Sequence, residues 1–248
     1  MRIRPSKRLY PGTANEMFEI IWIFSPEPLT ISVMRIVELS GETFPGTLFE
    51  AVRIVKRGGV ICYPTDTVYG IGGNALDAKV ARRVYRIKRR PKDKAMILLV
   101  KDMAMARKYA YIDLWTEGVL ADLWPGPVTV VLHRKDTLPD IVAGGKDTIA
   151  MRLPNFRFVN ELMKQVDFPL IATSANISGD TVKPVEVRPF VETLRETKAK
   201  PDLVIDAGRL AASEPSTVLD LTDRGNPVIM RRGLLSKSEL DQMLAKHL

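Results

Sequence analysis

The alternation of apolar and polar residues along the chain predicts an α/β protein. From Met34 onward, apolar runs of strand length are separated by segments in which apolar residues recur at helical spacing. Strands are predicted at 35–38, 60–63, 95–100, 128–132, 148–152, 169–173, 203–206, 216–221 and 228–230. Helices are predicted at 47–56, 77–90, 102–109, 156–165, 189–196 and 236–246. Because strands and helices do not alternate strictly, the pattern favours a mixed sheet over a doubly wound one.

The N-terminal part of the chain lacks this regular pattern. Residues 1–33 contain four prolines and no clean periodicity, so we expect a poorly anchored extension, with Met34 as an alternative start. The apolar run at 17–24 includes Glu19 and is far shorter than the roughly 20 residues that a membrane helix needs. We therefore expect one domain at 34–248, no membrane span, and a mobile polar loop at 179–188 over the sheet.

Composition and charge narrow the classes of function. With 248 residues, of which 46% are hydrophobic, the chain can bury a full core without a disulfide or a structural metal. The formal net charge of +8 favours polyanionic or phosphorylated partners. The single cysteine, Cys62, lies in an apolar strand, so we expect an inert thiol and a reducing, cytoplasmic location. Only two histidines accompany it, which excludes a His/Cys metal cluster.

The end of the second predicted helix concentrates positive charge. Residues 82–94 hold eight Lys or Arg and one acid. The apolar stripe of this helix comprises Val80, Val84 and Ile87. Lys88 and Arg90 lie about 80° to either side of that stripe, so both can reach a cleft. The cations that point away from the stripe are expected to form a solvated face; they are Lys79, Arg82, Arg83, Arg86 and Arg89.

Four polar segments fall where predicted strands end, at 64–67, 173–176, 215–217 and 231–233. Each of them alone is more often a turn, because Pro, Ser, Asn and Gly close turns for local reasons. Four such segments together with a cationic helix end indicate an anion-binding site or a nucleic-acid surface. The chain contains neither a Gly-x-x-x-x-Gly-Lys-Ser/Thr loop nor a dinucleotide glycine pattern. An ATP site in this chain would therefore have another architecture.

Seven short motifs follow one another along the chain. They are Pro64-Thr-Asp-Thr-Val-Tyr-Gly70, Lys88-x-Arg90-Pro91, Trp124-Pro-Gly-Pro-Val-Thr129, Arg152, Thr173-Ser-Ala-Asn-x-Ser-Gly179, Pro215-Ser-Thr-Val-x-Asp220 and Arg231-x-Gly233. In this order they resemble the YrdC/Sua5 family of threonylcarbamoyl-AMP synthases. The resemblance implies an α/β fold with a twisted mixed β-sheet, flanking helices and a positively charged concave face, in the single-domain form. It also implies formation of threonylcarbamoyl-AMP and pyrophosphate from L-threonine, bicarbonate and ATP, for N6-threonylcarbamoyladenosine in tRNA.

The resemblance also implies roles for single residues. Lys88 and Arg90 match the family's Lys-x-Arg pair, which meets the nucleotide phosphates, and we expect both to be catalytic. The further ATP contacts that the resemblance implies are Ser174, Asn176, Thr148 and Arg231. The implied threonine contacts are Thr65, Lys94, Arg152 and Ser216. The family usually continues with Asp-His-Pro-Leu after Lys-x-Arg-Pro, so Lys94 stands where the family has histidine.

The implied reaction suits this set of residue types. A carbamate of threonine is already an anionic nucleophile, so its attack on the α-phosphorus of ATP needs no activating base. Positioning and cationic stabilisation then do most of the catalytic work. We expect Mg2+ to be held by the phosphates and water rather than by a dedicated protein site. Asp66 and Asp220 are candidate ligands, although roles in a turn and at a strand end explain them equally.

Two other functions remain as alternatives. A non-catalytic basic RNA-binding module of the same fold would explain the charge, but the chain lacks the interleaved aromatics of a base-stacking platform. A carbamoyl transferase of the hydrogenase-maturation type would need cysteine clusters, which a single cysteine excludes. The expected partners of the enzyme are its three substrates, with tRNA or a downstream threonylcarbamoyl transferase as further candidates.

Overall fold

The computed structural model describes residues 34–211 and 214–247, and the extension predicted at 1–33 lies outside them. In this part of the chain ten strands form one sheet: β1 (Arg35–Glu38), β2 (Ile61–Tyr63), β3 (Gly70–Gly72), β4 (Ile97–Leu99), β5 (Val128–His133), β6 (Thr148–Arg152), β7 (Leu170–Ser174), β8 (Leu203–Asp206), β9 (Thr217–Asp220) and β10 (Val228–Arg231). The helices are α1 (Phe44–Lys56), α2 (Ala78–Lys88), α3 (Met103–Tyr109), α4 (Leu114–Leu123), α5 (Asp140–Ala143), α6 (Arg157–Lys164), α7 (Arg188–Leu194) and α8 (Lys237–Leu244).

The sheet is mixed, as predicted. Its strand order is β1-β8-β2-β3-β7-β4-β6-β5-β9-β10. Four neighbouring pairs are parallel, namely β1 with β8, β2 with β8, β4 with β6, and β5 with β9. The remaining pairs are antiparallel. Because strands that are distant in sequence become neighbours, segments from across the chain meet at the same strand ends.

The central strands are buried on both faces, and the helices cover them. Every residue of β2 and of β8 is buried, which explains why both read as continuous apolar runs in the sequence. The first turns of α2, α3 and α4 are each capped by the side chain of the preceding residue, Asp77, Asp102 or Asp113, which accepts a hydrogen bond from a backbone N–H. Among the described residues, no helix combines the length and apolar character needed to cross a membrane.

Three elements were not predicted, namely β3, α4 and the four-residue helix α5. Strand β3 contains two glycines and only three residues, and glycine disfavours strands. Its glycine content has a steric reason, because a Cβ at Gly72 would lie 1.7 Å from the backbone oxygen of Ile171 on the neighbouring strand β7. Helix α4 carries apolar residues around most of its circumference, and one of them, Leu114, is 87% exposed, so no single apolar stripe marks it.

Helix α2 ends two residues before the predicted position. Arg89 has φ 51° and ψ 38°, the left-handed conformation, and it is the one non-glycine residue with positive φ in the described part of the chain. The N–H of Arg89 donates to the oxygen of Arg86, and the N–H of Arg90 donates to the oxygen of Tyr85. These two bonds form a Schellman motif, in which the left-handed position usually holds glycine. The motif turns the chain sharply between Lys88 and Arg90.

Arg83 does not belong to the solvated face on which it was predicted. Its guanidinium donates to both carboxylate oxygens of Asp202 and to the backbone oxygen of Lys200. The carboxylate of Asp202 also accepts from the N–H of Val60, immediately before β2. The prediction was wrong because the helical pattern carries no information on Asp202, which lies 119 positions away in sequence.

Candidate active site

A cavity of about 130 Å³ lies where the sheet brings several strand ends together. Its lining comes from the turn after β2, the first residue of β3, the segment after α2, both ends of β4, the ends of β6, β7 and β10, one residue of β5 and the two residues before β9. The polar side chains that line it are those of Thr65, Thr67, Tyr69, Arg90, Thr129, Arg152, Thr173, Ser174, Ser216 and Arg231. An apolar wall faces them, formed by Val68, Ile97, Leu99 and Ala172.

The Thr-Asp-Thr turn is locked by its own hydroxyl groups. The hydroxyl of Thr65 donates to the backbone oxygen of Val68 at 2.7 Å and accepts from the N–H of Thr67 at 3.1 Å. Because its single proton is used, the hydroxyl of Thr67, 3.0 Å away, must be the donor to Thr65. Thr65 therefore lines the cavity with a hydroxyl group whose proton and lone pairs are already engaged.

Arg152, the last residue of β6, joins the hydrogen-bond network of the Thr-Asp-Thr turn. One guanidinium nitrogen donates to the hydroxyl of Thr67 at 2.8 Å, and Nε donates to the backbone oxygen of Gly126 at 2.9 Å. The third nitrogen forms an ion pair with Asp66. The side chains of Arg152 and Asp66 are 6% and 15% exposed, so this is a buried, compensated charge pair. Asp66 also accepts from the N–H of Asn155 at 3.2 Å.

Ser216 and Arg231 form a second polar cluster in the lining of the cavity. The guanidinium of Arg231 donates to the backbone oxygen of Ser216 at 2.9 Å and to its hydroxyl at 3.1 Å. The hydroxyl of Ser216 also lies 2.8 Å from that of Thr129, on β5. Burial, and next the charges of Arg152 and Arg90, hold the pKa of Arg231 below its usual value. Three arginines thus converge on one cavity, an arrangement that an anion would stabilise.

Lys88 is buried and lies behind the cavity lining. Only 1% of the residue is exposed, and its ammonium donates to the backbone oxygens of Ser174 and Asn176 and to the side-chain oxygen of Asn176. The same amide oxygen accepts from the hydroxyl of Ser174 at 2.6 Å. Burial, followed by the charge of Arg90, lowers the pKa of Lys88 to about 7. Lys88 thus fixes the turn after β7, and its three ammonium protons are all used there.

Arg90 lies on the far side of the Schellman turn and does line the cavity. Its guanidinium donates to the backbone oxygens of Lys94 and Ala95, at 3.2 and 2.8 Å. Arg90 also lines an open groove on the outer side of α2 together with Lys79, Arg82, Tyr85, Arg86 and Lys92. Arg90 therefore forms part of the wall of both the inner cavity and the outer groove.

A second cavity, of about 280 Å³, adjoins the first at the turn after β7. It is lined by Asn176 and by the polar segment that follows, including Val182, Pro184 and Val185, with Phe190 of α7 below. The loop at 179–188, predicted to be mobile, forms backbone hydrogen bonds with two segments outside the strands, just before β3 and after β8. The oxygen of Pro184 accepts from the N–H of Tyr69, and the oxygen of Val185 accepts from the N–H of Leu210.

The structure brings most of the predicted site residues together. Six of them line the first cavity: Thr65, Arg90, Arg152, Ser174, Ser216 and Arg231. Asn176 lines the second cavity, and Lys88 supports the turn between the two. Thr148 lines neither cavity; it lies at the opposite end of β6 from Arg152 and pairs with His133. Lys94 is exposed, and its backbone oxygen, rather than its side chain, contacts Arg90.

Four polar residues of the cavity lining were not among the predicted site residues, namely Thr67, Tyr69, Thr129 and Thr173. Thr67 and Thr129 form hydrogen bonds within the site. Both are buried and each contacts a predicted residue, Arg152 in one case and Ser216 in the other. The available signal was their position in two of the seven motifs, at 64–70 and 124–129. Threonine is common in strands for its branched side chain alone, so that position did not distinguish a polar contact from packing.

The described residues do not form a protein site for Mg2+. Among them there is no group of three or more His, Cys, Asp or Glu side chains that could hold a metal ion. Of the two candidate ligands, Asp66 is paired with Arg152, and Asp220 accepts from the N–H and the hydroxyl of Thr222 at 2.9 and 2.6 Å. Both candidate carboxylates are therefore engaged by protein groups.

Residues 53–233 match the Sua5/YciO/YrdC family, described as telomere recombination. The chain belongs to this family. Among members with similar sequences is a protein of Hydrogenovibrio crunogenus named threonylcarbamoyl-AMP synthase, which is 36% identical over 69% of this chain and 91% of its own length. Another is the threonylcarbamoyl-AMP synthase of Pyrococcus abyssi, which is 32% identical over 79% of this chain and 56% of its own length.

Solved structures of the Sua5/YciO/YrdC family share the fold. P. abyssi Sua5 in complex with L-threonine superposes with a TM-score of 0.76 at 31% identity, covering 86% of this chain and 61% of Sua5. Escherichia coli YciO, whose curated name is "uncharacterized protein", superposes with a TM-score of 0.72 at 28% identity, over 83% of this chain and 97% of YciO. The relatives named threonylcarbamoyl-AMP synthase, together with the threonine complex of Sua5, favour an enzyme over a non-catalytic RNA-binding module.

Proposed function

We propose that this chain is an L-threonylcarbamoyladenylate synthase, which forms threonylcarbamoyl-AMP and pyrophosphate from L-threonine, bicarbonate and ATP. The observation that carries the proposal is the convergence of Arg90, Arg152 and Arg231 on one cavity in a chain whose relatives bear that name. All three substrates carry anionic groups. A cavity lined by arginines and hydroxyl groups, with an apolar wall for a methyl group, is chemically matched to threonine and a phosphate.

The reaction needs little acid or base catalysis. The amine of threonine and bicarbonate give a carbamate and water. A carbamate oxygen then forms a bond to the α-phosphorus of ATP while the bond from that phosphorus to the pyrophosphate oxygen breaks. Negative charge spreads over the phosphoryl oxygens as this happens, and fixed cations stabilise it. Mg2+ would enter with the phosphates of ATP, neutralising part of their charge.

Each part of the site has a role in this proposal. Ser216 holds the threonine end, where Arg152 supplies a cation already fixed by Asp66. Arg231, which donates to Ser216, keeps the ATP contact that was expected for it. Arg90 binds the phosphates, since it supplies a cation to the cavity lining. The second cavity, apolar and adjacent to Asn176, suits the flat base of ATP. Lys88 orients the turn that lies between the base and the phosphates. Its ammonium can contact a phosphate only if it gives up a hydrogen bond to the backbone oxygen of Ser174 or Asn176.

Pyrophosphate release tests the proposal. With ATP and Mg2+ present, release should require both L-threonine and bicarbonate, and threonylcarbamoyl-AMP should accumulate in equal amount by mass spectrometry. Arg90→Gln should abolish pyrophosphate release because it removes the cation. Glutamine keeps most of the length of the side chain, so the loss can be attributed to the charge. Arg195→Gln is the matched control, since Arg195 is an exposed arginine of the surface that pairs with Glu192. Release that does not depend on threonine would refute the proposal.

A tRNA partner is proposed on a separate observation. The outer groove next to Arg90 is lined by Lys79, Arg82, Arg86 and Lys92 and carries no acid among its lining residues. It has few apolar side chains, which fits contact with a phosphate backbone better than with a protein. Arg82→Glu/Arg86→Glu should weaken tRNA binding and lower its salt dependence, while the turnover of small substrates stays unchanged. If this variant binds tRNA as tightly as the wild type and with the same salt dependence, the groove is not the tRNA-binding surface. A downstream threonylcarbamoyl transferase and a cytoplasmic location stay predictions.

A further inference from the structure

The hydroxyl of Ser216 has two neighbours, and the direction of its hydrogen bonds can be deduced. Arg231 can only donate, because a guanidinium has no acceptor, so Ser216 accepts from Arg231 at 3.1 Å. The second neighbour is the hydroxyl of Thr129 at 2.8 Å, where distance alone does not identify the donor. A serine hydroxyl has one proton and two lone pairs, so both directions are possible until burial is considered.

Burial decides the direction. Thr129 is completely buried, and Ser216 is the sole hydrogen-bond partner of its hydroxyl among the described residues. If Ser216 donated to Thr129, the proton of Thr129 would be buried without an acceptor, which is costly. If Thr129 donates, its proton is satisfied and both lone pairs of Ser216 are filled. The proton of Ser216 is then left over, at a residue that lines the cavity.

We infer that Thr129 is a positioning residue that turns Ser216 into a dedicated hydrogen-bond donor to the threonine substrate. The inference rests on the proposed function. The other hydroxyl groups of known direction at the site do not offer a proton to the cavity. Thr65 donates to Val68, Thr67 donates to Thr65, and Ser174 donates to the amide oxygen of Asn176. An accepting oxygen of the substrate, in its carboxylate or carbamate group, is the chemical match for the free proton of Ser216.

The position of Thr129 favours this role over simple packing. It lies on β5, which is parallel to β9, and Ser216 directly precedes β9. The pairing of these strands holds the two hydroxyl groups together without any contribution from a ligand. Arg231, on β10, fixes Ser216 from the other side through the backbone oxygen as well as the hydroxyl. The rotamer of Ser216 is therefore set before substrate binds.

The test compares substitutions at Thr129 by their effects on the KM for each substrate. Thr129→Val removes the hydroxyl but keeps the branched shape, so the strand should fold. We expect the KM for L-threonine to rise about tenfold, the loss expected for one oriented hydrogen bond to a charged group. The KM for ATP and kcat should stay within about twofold. Thr129→Ser should restore the KM for threonine. Thr47→Val is the matched control, because Thr47 is a buried threonine whose hydroxyl has no partner in the described part of the chain.

A double-mutant cycle supplies the decisive comparison. Ser216→Ala alone should raise the KM for threonine at least as much as Thr129→Val, and in the Ser216→Ala background Thr129→Val should add less than about twofold. Independent, multiplying effects would overturn the inference, as would an equal rise in the KM for ATP or a failure of Thr129→Ser to restore binding. If wild-type turnover requires threonine but Thr129→Val behaves like wild type, this inference fails and the proposed function stands. A wild-type protein without threonine-dependent turnover refutes both.

Discussion

The ion pair between Asp66 and Arg152 should be one of the most sensitive points of the fold. Asp66→Asn keeps the size of the side chain and one acceptor oxygen, but removes the negative charge and the second acceptor, so only one of the two donors, Arg152 or the N–H of Asn155, keeps its hydrogen bond. Arg152, whose side chain is 6% exposed, then keeps its hydrogen bonds to Thr67 and Gly126 but loses its counter-charge. Breaking a buried ion pair from one side costs about 3–5 kcal/mol, because the remaining charge stays desolvated.

We expect the lower end of that range, about 3 kcal/mol, since Asp66 is 15% exposed and water can reach the vacated side. In a urea titration followed by tryptophan fluorescence, a slope of about 2 kcal/mol per M converts this loss into a midpoint about 1.5 M lower. Asp241→Asn is the control. Its pair with Lys237 is exposed on helix α8, so it should change stability by about 0.5 kcal/mol or less.

The second arm of the experiment separates charge from shape. In Asp66→Asn/Arg152→Gln both charges are gone, so the double variant should be less destabilised than the sum of the two single variants by more than about 1 kcal/mol. If Asp66→Asn costs no more than Asp241→Asn, or if the two single effects add, the pair does not act as a buried counter-charge. The assignment of Arg152 as a fixed cation of the site would then be wrong.

Three further outcomes follow from the same structure. Arg89→Gly should raise the free energy of unfolding by up to about 1 kcal/mol in urea titrations, because glycine adopts the left-handed conformation without steric cost, and a loss of stability would contradict this. Burial lowers the pKa of Lys88 from its ordinary value of 10.5 to about 7, so between these pH values the unfolded chain binds more protons than the folded one. The free energy of unfolding of the wild type should therefore rise with pH over this window relative to that of Lys88→Met. Parallel pH profiles of the two proteins would refute the lowered pKa of Lys88. Gly72→Ala should prevent folding as judged by circular dichroism, since its Cβ would lie 1.7 Å from the oxygen of Ile171; a folded variant with wild-type stability would show that the strands separate easily.

Much of the fold was predictable from the sequence, because most elements are governed by local patterns. Strands such as β2 and β8 bury every residue, and the aspartate caps of α2 and α3 mark where helices begin. The exceptions depend on contacts with distant segments. Strand β3 exists because its glycines allow a close approach to β7, which no propensity scale includes.

The sequence predicted most of the residues that belong to the site, but not the contacts that they form. The helical pattern correctly placed Lys88 beside the buried stripe, but it could not show whether a cleft or another chain segment lies there. The turn after β7 occupies that position, so the ammonium of Lys88 is buried against the oxygens of Ser174 and Asn176. The role of Thr129 depends likewise on the pairing of β5 with β9, which brings together residues 87 positions apart.

The buried cysteine can serve as a probe of how often the centre of the sheet opens to solvent. Cys62 is the single cysteine of the sequence, lies in the central strand β2 and is completely buried, and burial raises the pKa of its thiol. It reacts with a thiol reagent only when β2 opens to solvent. The rate of modification therefore reports how often the centre of the sheet opens. A ligand that binds the native state should slow this rate, so affinities for threonine and ATP can be measured on the unlabelled wild-type chain without any turnover.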